Sequence, residues 1–218
     1  MSELRGLLHV HTWHSFDSLL PPAAYLAYAR RSRLDFLCVT DHNTLAGSLE
    51  VARRNTDPRL EVVIGAEYAT DRGDLIGLFL REEVRSRRFA DAAAEIHAQG
   101  GLALLPHPYR GRVTDPSRYE TVDLIEVFNA RSSDASNAAA RADAERLKKP
   151  VTAGADIHTA WELVRDGTLV ELCGEGPLRE RLLVAPRQLA TRPSHRNLRR
   201  YSQLVKRVRS RAGFDGHR

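Results

Sequence analysis

Short apolar runs rich in β-branched residues recur along the chain, separated by longer segments with helical periodicity. The runs are Gly6–His11, Phe36–Thr40, Glu61–Gly65, Leu75–Leu80, Leu102–Leu105, Leu124–Phe128 and Val151–Ala153, with Leu169–Leu172 as an eighth candidate. Between them, Pro21–Arg33 places proline at a helix start, with Ala24, Tyr25, Tyr28 and Ala29 at helical spacing. Arg88–Gln99 ends in Gly100-Gly101, and Asp134–Lys148 ends before Pro150, so glycine or proline marks each stop. Strands alternating with helices predict an α/β protein with a parallel sheet that closes on itself. The intervals are short for eight complete units. A distorted seven-stranded (β/α)7 TIM-like barrel fits the count, with an open doubly wound sheet as the alternative.

The 218 residues suffice for one sizeable core. Residues 1–190 read as one barrel and 191–218 as a basic C-terminal tail. In that tail His195–Arg211 carries Leu198, Tyr201, Leu204, Val205 and Val208 at helical spacing, which predicts an amphipathic helix docking its apolar stripe on the barrel. The tail holds eight arginines and one lysine against Asp215 alone, so the net charge of +5 belongs to it and the body is mildly acidic. Whole-chain basicity therefore argues little for nucleic acid binding by the barrel. No run of about 18 apolar residues is present to span a bilayer, and no secretory signal pattern opens the chain. Cys38 and Cys173 lie inside apolar stretches without paired spacing, as buried free thiols would. A cytoplasmic location and no membrane partner are the expectations.

Metal-capable side chains cluster at the ends of the apolar runs. His9 and His11 close the first, Asp41-His42 the second and Glu67 the third; Asp74 opens the fourth, His107 follows the fifth, and Asp156 and His158 follow the seventh. In a parallel barrel these points share one rim. Alternation along a strand puts His9 and His11 on one face with Val10 on the other. A set of imidazoles and carboxylates without thiolates favours Zn²⁺, Mn²⁺ or Fe²⁺. Two or three such ions would use all the candidate ligands, and would both activate water and neutralise an anionic substrate, the needs of phosphate ester hydrolysis.

The ordered motifs HVHTWHSFDS, VTDHNTLAG, GAEY, PHPYRG, IEVFNAR and TAGADIHT resemble the PHP (polymerase and histidinol phosphatase) family of metal-dependent phosphoesterases on a distorted seven-stranded barrel. The resemblance runs from Leu7 to about Val170 and leaves the tail outside. It implies a three-metal centre, with one ion held by His9, His11, Glu67 and Asp156. Glu67 would bridge to a second ion at His107, and Asp17, His42 and His158 would hold a third. Family members commonly carry a histidine after the glutamate, where this chain has Asp74; a carboxylate there can bind the same ion. Asp41 is expected to orient a neighbouring ligand.

The implied reaction is attack on phosphorus by a metal-activated hydroxide, with Asp156, His158 and Arg131 assigned to catalysis. His158 or His107 could protonate the leaving group, water being an equal candidate. Arg110 and Arg131 follow strand ends and suit phosphate, and His14 is read as a substrate-facing residue. The expected substrate is a small phosphate monoester. A phosphodiesterase or exonuclease acting on nucleotides or short oligonucleotides is the alternative, and a non-catalytic PHP-like module the third reading.

Overall fold

A computed structural model describes residues 2–110, 115–165 and 167–211, the side chain of Arg196 excepted. Asp215, His217 and Arg218 of the tail lie outside the described residues. In chain order the elements are β1 (Glu3–Val10), α1 (Pro22–Ser32), β2 (Phe36–His42), α2 (Ala46–Arg54), β3 (Glu61–Thr70), β4 (Gly73–Leu78), α3 (Phe89–Ala98), β5 (Leu102–Leu105), α4 (Arg118–Thr121), β6 (Leu124–Asn129), α5 (Asp134–Leu147), β7 (Val151–Gly154), α6 (Ala160–Arg165), β8 (Leu169–Cys173), α7 (Leu178–Val184), β9 (Arg187–Ala190) and α8 (Arg196–Arg211).

The strands form one sheet in the order β7-β6-β5-β4-β3-β2-β1-β8-β9. Its ends nearly meet. Past β7 the chain runs along the outer half of β1, where Ala155 N–H donates to Leu8 O at 2.9 Å and His11 N–H to Ile157 O at 2.9 Å. A parallel bridge joins Val10 to Ile157. Strand β8 pairs antiparallel with the inner half of β1, from Glu3 to Gly6. One strand thus closes a ring of seven with its end and carries a β8–β9 hairpin with its beginning.

The expected parallel seven-stranded sheet is corrected to nine mixed strands among the described residues. Strand β4 is antiparallel to both β3 and β5, because only two residues separate β3 from β4 and a hairpin is all they allow. The hairpin matters to the site: it folds Asp74, near the start of β4, back beside Ala69 near the end of β3. Strand β9 and the short helices α2, α4, α6 and α7 were not visible in the hydrophobic pattern, being too brief for a clear period.

Alternation sorts each strand between two surroundings. Phe36 and Cys38 of β2, Val63 of β3, Ile76 and Leu78 of β4, Leu102 and Leu104 of β5, and Leu124 and Phe128 of β6 pack together inside the ring. Leu178 and Leu182 of α7 join them. The opposite parity, Leu37 and Val39 or Ala103 and Leu105, meets the surrounding helices. Both cysteines are free, Cys38 in the core and Cys173 half-buried rather than buried.

Helix α8 does not dock as its hydrophobic pattern predicts. Tyr201, Leu204 and Val208 are 46%, 56% and 58% exposed, and the face against the barrel is Arg199, Ser202, Val205 and Arg209. The buried anchor is an ion pair. Arg131, just past β6, places its guanidinium on Glu162 of α6 at 2.9 Å and donates to Ser202 Oγ at 2.9 Å. Glu162 also accepts from Ser194 Oγ, from the backbone N–H groups of His158 and Thr159, and from Thr159 Oγ1. At the other end Arg209 donates to the carbonyls of Ser15 and Ser18, both at 2.8 Å, and Lys206 sits over the Phe16 ring. The helix consequently lies across the rim where β1, β6 and β7 end.

Removing one partner of this buried pair should be costly. Glu162→Ala is expected to lower unfolding stability in urea by about 3–5 kcal/mol and to open the arginines of α8 to trypsin. A loss under about 1 kcal/mol with unchanged cleavage would show that the pair does not hold the helix.

Candidate metal centre

The inward parity of the strands continues past the apolar interior into ionisable groups. His42 ends the column Phe36, Cys38, Thr40; Glu67 follows Val63 and Gly65; Asp74 precedes Ile76 and Leu78. The sequence places these side chains at one mouth by period two alone. His9, His107 and Asp156 arrive differently. Each sits at or just past a strand end with φ of 61°, 29° and 49°, a left-handed backbone that non-glycine residues rarely adopt. At His9 the pairing of β1 with β2 shifts register between Leu7 and Val10. The expectation that His9 and His11 share one face with Val10 on the other is met: the two rings lie with centroids 5.1 Å apart while Val10 packs outside the ring, and the bulge brings His9 inward next to the already inward Leu8.

Ligand atoms converge in overlapping groups, each within 4.8 Å: His11, Asp17, His42 and His158; His9, His11 and Glu67; His9, His107 and Asp156; Glu67, Asp74 and His107. Glu67 is the hub, with Oε1 2.9 Å from His107 Nε2 and Oε2 3.2 to 3.4 Å from nitrogens of His9, His11 and His42. Asp17 Oδ2 lies 3.1 Å from His158 Nε2 and 3.5 Å from His42 Nε2. Asp74 Oδ2 lies 4.0 Å from His107 Nε2, so the carboxylate that departs from the family pattern does reach the cluster. Nine of the expected ligands thus share one site.

Protein groups fix the far side of several rings. His9 Nδ1 lies 2.6 Å from Glu126 Oε1, so its proton points to that carboxylate and its Nε2 lone pair faces the cluster. Ser15 Oγ donates to Asp41 Oδ1 at 2.7 Å and accepts from the His42 N–H at 3.0 Å, which leaves it an acceptor for His11 Nδ1–H at 3.1 Å. His158 Nδ1–H donates to the Asp156 carbonyl at 3.0 Å. Asp41 thus acts on His11 through Ser15 and touches none of the ligand groups. Two buried atoms, His11 Nε2 and Asp17 Oδ1, have no hydrogen-bond partner. An orphaned imidazole lone pair and an orphaned carboxylate oxygen buried in the cluster are the donors a cation requires. The residues present fit divalent metal ions.

The electrostatics of the cluster are opposed from group to group. Burial, reinforced by His158 and His42, holds His11 well below the usual imidazole value, so it is neutral. Burial acts against charge on His42 as well, but Asp17 and Glu67 outweigh it and push it up to about 9. His9 rises well above its usual value because Glu126, Glu67 and Asp156 overcome burial. Asp17, Glu67 and Asp156 stay well below the usual carboxylate range, since neighbouring cations outweigh the burial that opposes ionisation. Arg110 is one of those cations: its guanidinium meets Asp156 Oδ2 at 2.6 Å and also Asn129 Oδ1.

Two residues expected to face substrate have strong protein partners. His14 Nε2 lies 2.6 Å from Glu50 on α2, away from the cluster, and Arg131 is committed to Glu162 and Ser202. Glu126 and Glu162 escaped sequence reasoning. The signal for Glu126 was parity: in IEVFN it shares the inward face with Leu124 and Phe128. Its space is reserved by Gly154, where an added Cβ would come within 2.1 Å of Glu126 Oε1. Gly47 likewise leaves room for Asp41, 1.8 Å from where its Cβ would stand.

A closed α/β ring with a buried imidazole and carboxylate cluster at its mouth defines a metal-dependent barrel protein. The PHP domain model matches residues 8–209, and the chain belongs to that family. The match continues past the Leu7–Val170 stretch of the sequence resemblance and takes in α8. Among curated proteins, the uncharacterized protein MJ1587 of Methanocaldococcus jannaschii is 35% identical over 60% of this chain and 85% of its own length. MJ0417 of the same organism is 30% identical over 72% of this chain and 66% of its own. A two-domain protein of Bacteroides vulgatus, described as containing a predicted PHP-like metal-dependent phosphoesterase, superposes with a TM-score of 0.74 at 18% identity, over 94% of this chain and 70% of that one. PsfC from Pseudomonas syringae superposes at 0.67 with 21% identity, over 95% and 99%. These structural likenesses establish the fold.

Two variants test the centre by metal content. His11→Ala should lose bound metal in mass spectrometric metal analysis while its far-ultraviolet circular dichroism stays native; full stoichiometry would remove His11 from the ligand set. Glu126→Gln keeps shape but not charge, and should weaken metal affinity by about 10–100-fold in chelator competition.

Proposed function

We propose that this protein is a metal-dependent phosphatase acting on a small phosphate monoester. The observation that carries this reading is the cluster itself, five imidazoles and four carboxylates with two orphaned donor atoms at one barrel mouth. The name of the Bacteroides vulgatus neighbour points the same way. His9, His11, Glu67 and Asp156 would hold one ion, Glu67, Asp74 and His107 a second, and Asp17, His42 and His158 a third, as Mn²⁺, Fe²⁺ or Zn²⁺. Bound there, divalent ions activate water and neutralise phosphoryl charge.

The chain's own groups do the rest. Glu126, Ser15 and the Asp156 carbonyl hold the imidazole tautomers that present Nε2 to the cluster. Arg110 stands at the mouth with its planar fork beside Asp156, placed to take phosphoryl oxygens in the ground state and the transition state. Asp156 and His158 act in catalysis by holding metal and not as proton carriers: Asp156 is fixed by Arg110, and His158 has Nδ1 on the Asp156 carbonyl and Nε2 aimed at Asp17 in the cluster. The leaving oxygen takes its proton from water. Arg131 acts at a distance, by fixing α8 over the rim. That helix narrows the approach, which favours a small ester over a polymer.

The test is metal-free protein reconstituted separately with Mn²⁺, Zn²⁺ and Fe²⁺, assayed on sugar, amino-alcohol and nucleotide monophosphates beside short oligonucleotides. Phosphate release from monoesters, restored by at least one metal, is expected. Cleavage of diesters alone would overturn the monoester reading in favour of a nuclease. No bound metal together with no turnover would overturn the enzyme.

A further inference from the structure

Beside the metal centre lies a second cavity of about 340 Å³, lined by Arg110, Arg131, Ser132, Ser133, Arg199 and Gln203 among others. Three arginines border it, and no acidic side chain is among the lining residues described. Arg110 belongs to both sites, since its guanidinium contacts Asp156 while its chain forms one wall of the cavity. Arg131 and Arg199 form another wall and are tied to each other, Arg199 Nη1 donating to the Arg131 carbonyl. The charge of Arg131 is balanced by Glu162; that of Arg199 meets only that neutral carbonyl.

Two polar atoms on lining residues lack any partner: Ser132 Oγ and Arg199 Nε are both buried and unbonded. Unused donors are expensive in a folded protein. Both atoms are closed to water as the side chains stand, so an acid in the cavity meets the three lining arginines first and reaches these donors only by a turn of the Ser132 hydroxyl or of the Arg199 side chain. The first turn of α5 brings a helix N-terminus to the cavity, with the exposed Asp134 in the same turn. Its N-cap Ser133 and Ser136 line the cavity, at the end of a 14-residue helix where backbone N–H groups carry partial positive charge. The volume exceeds what one phosphate at the metal centre needs and lies at the lower end of small-molecule sites.

We infer that this cavity, closed on one side by α8, binds a second acidic group of the substrate, so that the protein selects phosphate esters carrying another phosphate or a carboxylate beyond the scissile one. Arg199 and Ser132 are the specificity-determining residues, and Arg110 is the boundary between the two anion positions. The inference rests on the phosphatase reading and deepens it by naming the substrate class. It also gives the basic helix a role in the site: its arginine reaches the substrate and is not a separate nucleic-acid module.

The experiment compares alkyl phosphates with alkanediol bisphosphates and ω-carboxyalkyl phosphates of matched chain length, on metal-reconstituted wild type, Arg199→Met and Ser132→Ala. Wild type should prefer at least one bis-anion series by about tenfold or more in kcat/KM, the worth of one charge-assisted hydrogen bond. Which series is preferred separates phosphate from carboxylate. Arg199→Met should erase the preference through KM, and Ser132→Ala, which plays no part in docking α8, should reduce it. Equal turnover of mono-anions and bis-anions by wild type, or a uniform loss on all esters in both variants, would overturn the inference while leaving the phosphatase intact. Should no ester be hydrolysed, the phosphatase reading falls. Calorimetric titration with an alkanediol bisphosphonate then decides the cavity alone: binding weakened by Arg199→Met supports it, and equal binding or none overturns it.

Discussion

Gathering four carboxylates and five imidazoles in a space from which water is largely excluded is the constraint around which this molecule is built. Like charges at such separations repel strongly in a poorly screened interior, and each buried ion carries a desolvation cost of several kcal/mol. The arrangement is tolerable because charge alternates atom by atom. Glu67 lies among His9, His11, His42 and His107, and Asp17 lies between His42 and His158. The residual tension appears in opposite shifts of neighbouring groups, His11 kept neutral while His42 is pushed toward charge. A divalent cation resolves that tension directly, replacing protons at the nitrogens it binds.

Keeping such a cluster in place requires a second ring of supports, and much of the mouth's local structure is explained by it. Glu126 holds His9, Ser15 and Asp41 hold His11, and Glu162 holds the backbone of His158. Backbone follows the same demand. Left-handed φ values at His9, His107 and Asp156 cost of order 1–3 kcal/mol each and persist only where surroundings over-determine them. Two of the close-packed glycines, Gly47 and Gly154, are explained by neither turn nor hinge. Each vacates the volume of one supporting carboxylate, Asp41 or Glu126.

Most of the site was legible because ligand position follows strand parity and strand ends, both of which hydrophobic alternation reveals. Strands β2, β5 and β6 fall where the pattern placed them, and with them His42 and the turn carrying His107. What the pattern hid has definite causes. Antiparallel β4 could not be inferred from an apolar run, since a run has no direction; only the two-residue gap after Thr70 fixes it. Glu126 was legible in principle, as a charged residue of inward parity, yet a lone glutamate in an apolar strand resembles an exception until its partner is known. Glu162 lay in a helix of 6 residues with no period to read. The partners of His14 and Arg131, Glu50 and Glu162, were not legible because proximity to a strand end locates a residue at the rim without saying which neighbour claims its side chain.

Helix α8 shows the same limit most fully. Its sequence identifies an apolar stripe and a basic remainder, and burial of apolar surface would ordinarily decide which side docks. Here the barrel offers that helix a mouth bordered by Glu162, by the carbonyls of Ser15 and Ser18, and by the carbonyl of Arg131. The three carbonyls are met by Arg199 and Arg209 of the helix, and Glu162 is met by Arg131, which in turn donates to Ser202; leucine and valine would leave those groups bare. A charge-assisted hydrogen bond at a partly buried carbonyl is worth as much as burying an exposed aliphatic side chain, so the polar face wins wherever acceptors are dense. The mild acidity of the body and the strong basicity of the tail are therefore two halves of one electrostatic arrangement, with the positive helix lying over a negative mouth. The family match through residue 209 is consistent with the helix being part of the domain, and the contacts of Arg199, Ser202 and Arg209 are the physical reason why.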